Sequence, residues 1–168
     1  MTAPFTPLSI CVLTVSDTRS LENDVSGQTL IERAEAAGHH LLERGLVKDC
    51  VYQIRAVLSR WIADPQAQVV LITGGTGFAG RDSTPEAVQL LLDKQIPGFG
   101  ELFRAQSVAE IGTSTMQSRA LGGLANGTLV FALPGSTGAC RTAWQIIEPQ
   151  LDSRTQPCNF VAVLKPAC

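Results

Sequence analysis

The residues with the densest chemistry are Thr73-Gly74-Gly75-Thr76-Gly77-Phe78-Ala79-Gly80-Arg81-Asp82-Ser83-Thr84-Pro85-Glu86. Glycine amides approach an anion with no Cβ in the way. A helix starting near Thr84-Pro85 adds unpaired N–H groups and the positive end of its dipole. Such a loop suits a phosphate. Asp82 is the odd residue, because a carboxylate repels phosphate unless a cation stands between them or the carboxylate has a task in the reaction. Mg²⁺ commonly takes one or two carboxylates together with substrate phosphate oxygens. The stretch therefore reads as a site for nucleotide phosphate and metal, with Asp82 holding Mg²⁺ or orienting the reacting phosphate. Thr84 is expected as the N-cap and Pro85 as the first helical residue.

The loop needs a strand to launch it and a helix to receive it. Gln68 to Thr73 is an apolar, β-branched run of the kind buried on both faces of a parallel sheet. Leu8 to Val15 has the same character and empties into the polar Ser16-Asp17-Thr18-Arg19. His39 to Val47 is a less apolar strand closing on Lys48-Asp49. Between them, Leu30, Ile31, Ala34 and Ala37 share one helical face, stopped by Gly38. Ile54, Val57, Leu58, Trp61 and Ile62 form a second stripe ending at Asp64-Pro65. Three strands separated by two helices make a right-handed parallel βαβαβ unit the economical topology.

Farther on, Pro85 to Asp93 is expected as a helix, Ile96 to Gly100 as a turn and Glu101 to Glu110 as a short helix. Met116 to Leu121 is expected as another helix, capped by Ser114 or Thr115 and broken by Gly122-Gly123. Thr128 to Leu133 is a fourth confident strand. It ends in Pro134-Gly135-Ser136-Thr137-Gly138 before a helix carrying Ala139, Ala143, Ile146, Ile147 and Leu151. Strand, small-residue loop and helix thus occur twice, and two such loops at one sheet edge make the walls of one cleft. Phe160 to Leu164 is expected as an edge strand or an oligomer contact.

Composition narrows the partners. The 168 residues are 45% hydrophobic, enough for one compact domain spanning residues 1–168. A net charge of −2 and pI near 5.6 supply no basic footprint for nucleic acid. No signal peptide or membrane span is evident, so a cytoplasmic protein is expected. Cys11, Cys50, Cys140, Cys158 and Cys168 include no C-x-x-C and are expected as reduced thiols. Cys140 follows the second loop, but no triad accompanies it. His39 and His40 lack neighbours at metal spacing and read as strand-edge residues.

Two familiar phosphate motifs fit poorly. Gly75-x-Gly77-x-x-Gly80 satisfies a dinucleotide fingerprint formally, yet the helix starts too late and no acidic strand end follows about twenty residues on. A P-loop would need Lys-Ser/Thr after Gly80, where Arg81-Asp82 stand.

Gly74-Gly75-Thr76-Gly77 with Arg81-Asp82-x-Thr84-Pro85-Glu86-Ala87 resembles the signature of the MoaB/MogA family of molybdenum-cofactor biosynthesis proteins. The similarity extends to Leu13-Thr14-Val15-Ser16-Asp17, Gly112-Thr113-Ser114 and Leu133-Pro134-Gly135-Ser136, closer to the MoaB branch. The resemblance implies a three-layer α/β/α domain with a mostly parallel sheet, a trimer or dimer of trimers, and Mg-ATP-dependent adenylylation of molybdopterin. It implies Asp82 and Asp49 as catalytic carboxylates, with Asp82 on Mg²⁺. Gly74, Gly75, Thr76 and Gly77 would line the pterin and phosphate pocket, Arg81 would screen ATP phosphates or pair with Asp82, and Ser16 and Asp17 would contact nucleotide. Thr113, Ser114, Ser118 and Arg119 would hold the molybdopterin phosphate, and Pro134, Gly135 and Ser136 the opposite wall. A molybdopterin-binding protein without catalysis is the alternative, because some MoaB-branch sequences have degraded loops.

Overall fold

A computed structural model describes residues 3–165. Its strands are β1 (Ser9–Val15), β2 (His40–Val47), β3 (Val69–Thr73), β4 (Lys94–Gln95), β5 (Leu121–Ala125) and β6 (Thr128–Leu133). They form one sheet in the order β2-β1-β3-β6-β5-β4. β2, β1, β3 and β6 run parallel, while β5 pairs antiparallel with β6 and β4 antiparallel with β5. Register aligns Thr14 with Thr73 and Thr73 with Leu133, so three central strands finish at one level.

Alternation along the strands divides the core in two. Ile10, Val12, Val69, Leu71, Leu129 and Phe131 pack against α1 (Val25–Ala36), α4 (Pro97–Ile111) and α5 (Thr137–Ile147), with Trp144 in that layer. Cys11, Leu13, Val70, Ile72, Val130 and Ala132 pack against α2 (Val51–Ala63) and α3 (Thr84–Gln89), with Trp61 fully buried among them. Both faces of the parallel strands are covered, which is why β1, β3 and β6 read as unbroken apolar runs. The result is the expected α/β/α arrangement with a mostly parallel sheet.

Four expectations are corrected. Gly122 and Gly123 lie inside β5: a Cβ on Gly122 would stand 2.8 Å from the Phe131 ring, and one on Gly123 2.4 Å from Leu92. They are close-packing residues, and the expected helix over 116–121 is a 3₁₀ turn, Gly112–Gln117, followed by that strand. The expected turn at 96–100 starts α4, with Pro97 in its first turn, where a missing N–H is harmless. Of the two alternatives for Phe160 to Leu164, the edge strand is overturned, since the run contains a 3₁₀ turn, Val161–Val163. His39 precedes β2 and is buried, its Nδ1 accepting the Leu8 N–H at 3.1 Å.

Cys11, Cys50, Cys140 and Cys158 are free thiols, and Cys168 lies outside the described residues. Among the described residues no helix is long and apolar enough to cross a membrane.

Candidate functional site

The loops leaving β1, β3 and β6 enclose a cleft of about 550 Å³ at the carboxyl edge of the sheet. Its shape follows from glycine. Gly74 has φ +105°, and a Cβ there would stand 2.1 Å from the Val15 carbonyl oxygen, so the β3 loop crosses β1 in direct contact. Gly75 has φ +68°, and its Cβ would meet Thr84 Oγ1 at 2.4 Å and Asp49 Oδ2 at 2.7 Å. Only glycine accepts both the conformation and the crowding. Gly135 completes the contact, its Cβ position 3.4 Å from Gly74 Cα.

Thr84 closes the β3 loop in a way the sequence reading did not foresee. It is the first residue of α3 and not its cap: its hydroxyl donates to the Gly74 carbonyl at 2.8 Å and its N–H to the Gly75 carbonyl at 3.0 Å. Ser83 flanks the helix without a side-chain cap bond. The N–H groups of Gly75, Thr76 and Gly77 donate to nothing among the described residues. Unpartnered donors beside a cleft are the material of an anion site.

Asp82 faces this cleft. Its Oδ2 accepts the Ala79 N–H at 2.9 Å, while Oδ1 has no partner among the described residues. Asp49 sits behind the same loop, outside the cleft lining, with Oδ1 accepting both the N–H and the hydroxyl of Ser83. The two carboxylates thus flank neighbouring glycines, Asp82 at Gly77 and Asp49 at Gly75.

The other expected residues divide. Ser16, Ser118, Pro134, Gly135 and Ser136 line the cleft with Gly74, Gly75, Thr76 and Gly77. The Ser16 hydroxyl accepts the N–H groups of Thr18 and Arg19, and Ser136 caps α5 by accepting the Ala139 N–H at 3.1 Å. Asp17 and Arg81 lie outside the lining and pair at 3.2 Å, so Arg81's partner is Asp17 and not Asp82. Thr113 and Ser114 are exposed on the 3₁₀ turn, away from the lining. Arg119, expected at a phosphate, instead donates to the carbonyls of Gly77 and Asp82 and pairs with Glu86.

The sequence reading missed Arg19. Its Nη1 donates to Ser26 Oγ at 3.1 Å and to the Gly135 carbonyl at 3.4 Å, while Nε and Nη2 have no partner among the described residues. It is the cation lining the cleft. Behind it Asp24, its side chain fully buried, caps α1 through Gly27 N–H at 3.0 Å and accepts from Thr14 Oγ1 at 2.6 Å and Arg44 Nη2 at 3.2 Å. The available signal was Asp24 three residues before Gly27, a helix cap with a basic residue just upstream.

Burial pushes the Cys140 thiol up to about 11, and Sγ rests 3.3 Å from Thr73 Oγ1, so it is an inert packing group beneath the cleft. Among the described residues no cluster of three His, Cys, Asp or Glu side chains is placed to hold a metal ion. A divalent cation would therefore depend on Asp82 and on oxygen atoms brought by a ligand, the usual arrangement for Mg²⁺ with phosphates.

Comparison with known proteins places this architecture. Residues 11–153 match the family described as a probable molybdopterin binding domain. The chain is 57% identical over 162 residues to molybdenum cofactor biosynthesis protein B of Escherichia coli strain K12, covering 96% of this chain and 95% of that one. A crystal structure of a molybdenum cofactor biosynthesis protein B superposes with TM-score 0.84 at 45% identity, covering 87% of this chain and 92% of that one. The tungsten cofactor synthesizing protein MoaB from Pyrococcus furiosus superposes with TM-score 0.79 at 36% identity, covering 89% and 94%. With this breadth of match in sequence and fold, the chain belongs to the MoaB/MogA family of molybdopterin-binding domains, on its MoaB branch.

Proposed function

We propose that this protein acts in molybdenum cofactor biosynthesis by adenylylating molybdopterin with Mg-ATP. The observation that carries this reading is one cleft holding unpartnered loop amides and the Arg19 guanidinium together with a free oxygen of Asp82. A terminal phosphate oxygen of molybdopterin attacks the α-phosphorus of ATP. The bond to the bridging oxygen breaks, and pyrophosphate leaves with that oxygen and its electrons. Phosphoryl-type transfer needs mainly positioning and charge neutralisation, which these groups are suited to supply. Mg²⁺, held by Asp82 and phosphate oxygens, would neutralise charge on the phosphates. Asp49 shapes the Gly75 and Ser83 backbone from behind, and Ser16, Ser118 and Ser136 supply hydroxyls along the walls.

The test is pyrophosphate release from molybdopterin, ATP and Mg²⁺. Asp82→Asn should lower kcat on the order of 100-fold or more, the cost of removing one charge-stabilising group, while molybdopterin affinity stays near wild type. Equal losses in affinity and turnover would assign Asp82 to uniform binding instead. A second reading, molybdopterin binding without transfer, is favoured by the engagement of Asp49, Asp17, Arg81 and Arg119 with one another or with loop backbone. Calorimetry with molybdopterin separates the two: binding of pterin with no site for an ATP analogue supports the second. Assembly as a trimer or dimer of trimers in the cytoplasm belongs to the same proposal. Exposed Leu102, Val108, Ile111 and Met116 along α4 and the turn after it support that assembly, and sedimentation measures it.

A further inference from the structure

We infer that Arg119 is a positioning residue that aims the backbone of the β3 loop, and that it does not touch substrate. Its own N–H donates to the Thr76 carbonyl at 3.2 Å. Its guanidinium gives Nε and Nη2 to the Gly77 carbonyl at 3.0 and 2.7 Å, Nη2 again to the Asp82 carbonyl at 2.9 Å, and Nη1 to Glu86. The Phe78 ring covers it, with the guanidinium carbon 5.1 Å from the ring centroid. Four of its five guanidinium N–H groups are used in this way, and three loop carbonyls are drawn to one side.

A trans peptide points its N–H opposite to its C=O. Turning the carbonyls of Thr76 and Gly77 toward Arg119 therefore turns the N–H groups of Gly77 and Phe78 the other way, and neither has a partner among the described residues. The third peptide shows the principle completed. With the Asp82 carbonyl on Arg119, the N–H of Ser83 reaches Asp49 Oδ1 at 3.1 Å. Arg119 and Asp49 thus hold opposite ends of one peptide group. Left alone, a glycine-rich loop has two peptide orientations at little cost, and carbonyls facing the cleft would repel phosphate. Arg119 removes that freedom. A planar fork is required, because a single ammonium nitrogen cannot replace Nε and Nη2 on the Gly77 and Asp82 carbonyls in one plane.

The test uses Arg119→Gln, Arg119→Lys and Glu86→Gln in the full chain. The kinetic arm alone rests on the adenylylation reading. In Arg119→Gln the Ser83 amide should exchange with solvent at least about tenfold faster by NMR while amides of β1 and β3 keep their rates, a loss local to the loop. Calorimetric affinity for inorganic pyrophosphate should fall, and kcat should drop on the order of 100-fold. Arg119→Lys should rescue little, and Glu86→Gln, which leaves every carbonyl contact, should change kcat by less than about threefold. Unchanged Ser83 exchange in Arg119→Gln overturns the inference, as does a Glu86→Gln loss equal to that of Arg119→Gln. A merely structural role would speed exchange in β1 and β3 as well and lower the melting temperature without the local signature. If wild-type protein releases no pyrophosphate, adenylylation fails, and Ser83 exchange still decides the role of Arg119.

Discussion

The two ends of the parallel sheet are built on opposite rules. At the amino edge, polar groups are matched. Leu8 N–H reaches His39, Ser9 N–H reaches Gln68 Oε1 at 2.9 Å, Thr128 Oγ1 donates to Ala67 O at 2.8 Å, and Lys165 Nζ donates to the carbonyls of Ile62 and Asp64. At the carboxyl edge, the amides of Gly75 to Gly77, one oxygen of Asp82 and two nitrogens of Arg19 are left without partners among the described residues. These groups lie beside a cleft open to solvent, the Arg19 side chain being 38% exposed, so water satisfies them and a ligand that takes the place of that water can complete the set. The amino edge closes the scaffold, and the carboxyl edge keeps its hydrogen-bonding capacity for a guest.

The sharpest way to break this contrast is Gly74→Ala. A side chain there combines φ +105° with a carbonyl oxygen 2.1 Å from its Cβ, so backbone strain and overlap add. The expected cost is about 3 kcal/mol or more, measured by denaturant unfolding. Because the strain falls on the crossing of β1 and the β3 loop, the pyrophosphate release expected under the proposed adenylylation should be lost even at temperatures where the variant is folded. A variant of wild-type stability and turnover would show that the loop has another route past Val15.

Arg19→Ala separates the edges with less damage. Nη1 holds Ser26 and Gly135, yet Asp24 keeps Thr14, Gly27 and Arg44, so the fold should lose little. Binding of ATP or molybdopterin should weaken by about tenfold or somewhat more, as expected for one charge-assisted hydrogen bond to phosphate. Under the proposed reaction, calorimetry with ATP and with molybdopterin separately tests which phosphate Arg19 contacts. Loss of stability without loss of affinity would move Arg19 from the site to the scaffold.

The parts legible in the sequence were those whose cause is local. β1, β3 and β6 show as apolar runs because both of their faces are covered, and the β3 loop shows because its glycines and Asp82 are contiguous. β5 did not show: its two glycines are required by Phe131 and Leu92, and without an alignment a packing glycine looks like a breaking one. β4 is two exposed residues, Lys94 and Gln95, with no pattern to detect. In the site, Arg19 meets Gly135 across 116 positions and Arg119 meets Gly77 across 42. Both are arginines in polar stretches, where residue type suggests phosphate equally. Only the fold shows that one has donors to spare and the other has nearly all of its donors engaged.

The smallest effect tests the matched edge through pH. His39 is buried beside Phe5 and Trp144, and its Nδ1 must be unprotonated to accept the Leu8 N–H. Burial lowers its pKa from the ordinary 6.5, nearby His40 acts in the same direction, and the charges of Asp152 and Glu148 oppose this. The unfolded chain takes up the proton first as pH falls, so the contribution is fully present above 6.5. It is lost between that value and the lower folded one. Glu43 and Asp152 are held down to about 2 by Arg60 with Trp61 and by Arg154, and they act only at lower pH, below the usual carboxylate range. As pH falls below about 6.5, unfolding free energy should therefore fall with a slope of at most about 1.4 kcal/mol per pH unit from this group. In His39→Gln, whose amide oxygen can still accept from Leu8, that slope should flatten. If the slope persists in the variant, the pH dependence belongs elsewhere; if ligand affinity of the variant also changes, the two edges are coupled through β1 and the division between scaffold and site does not hold.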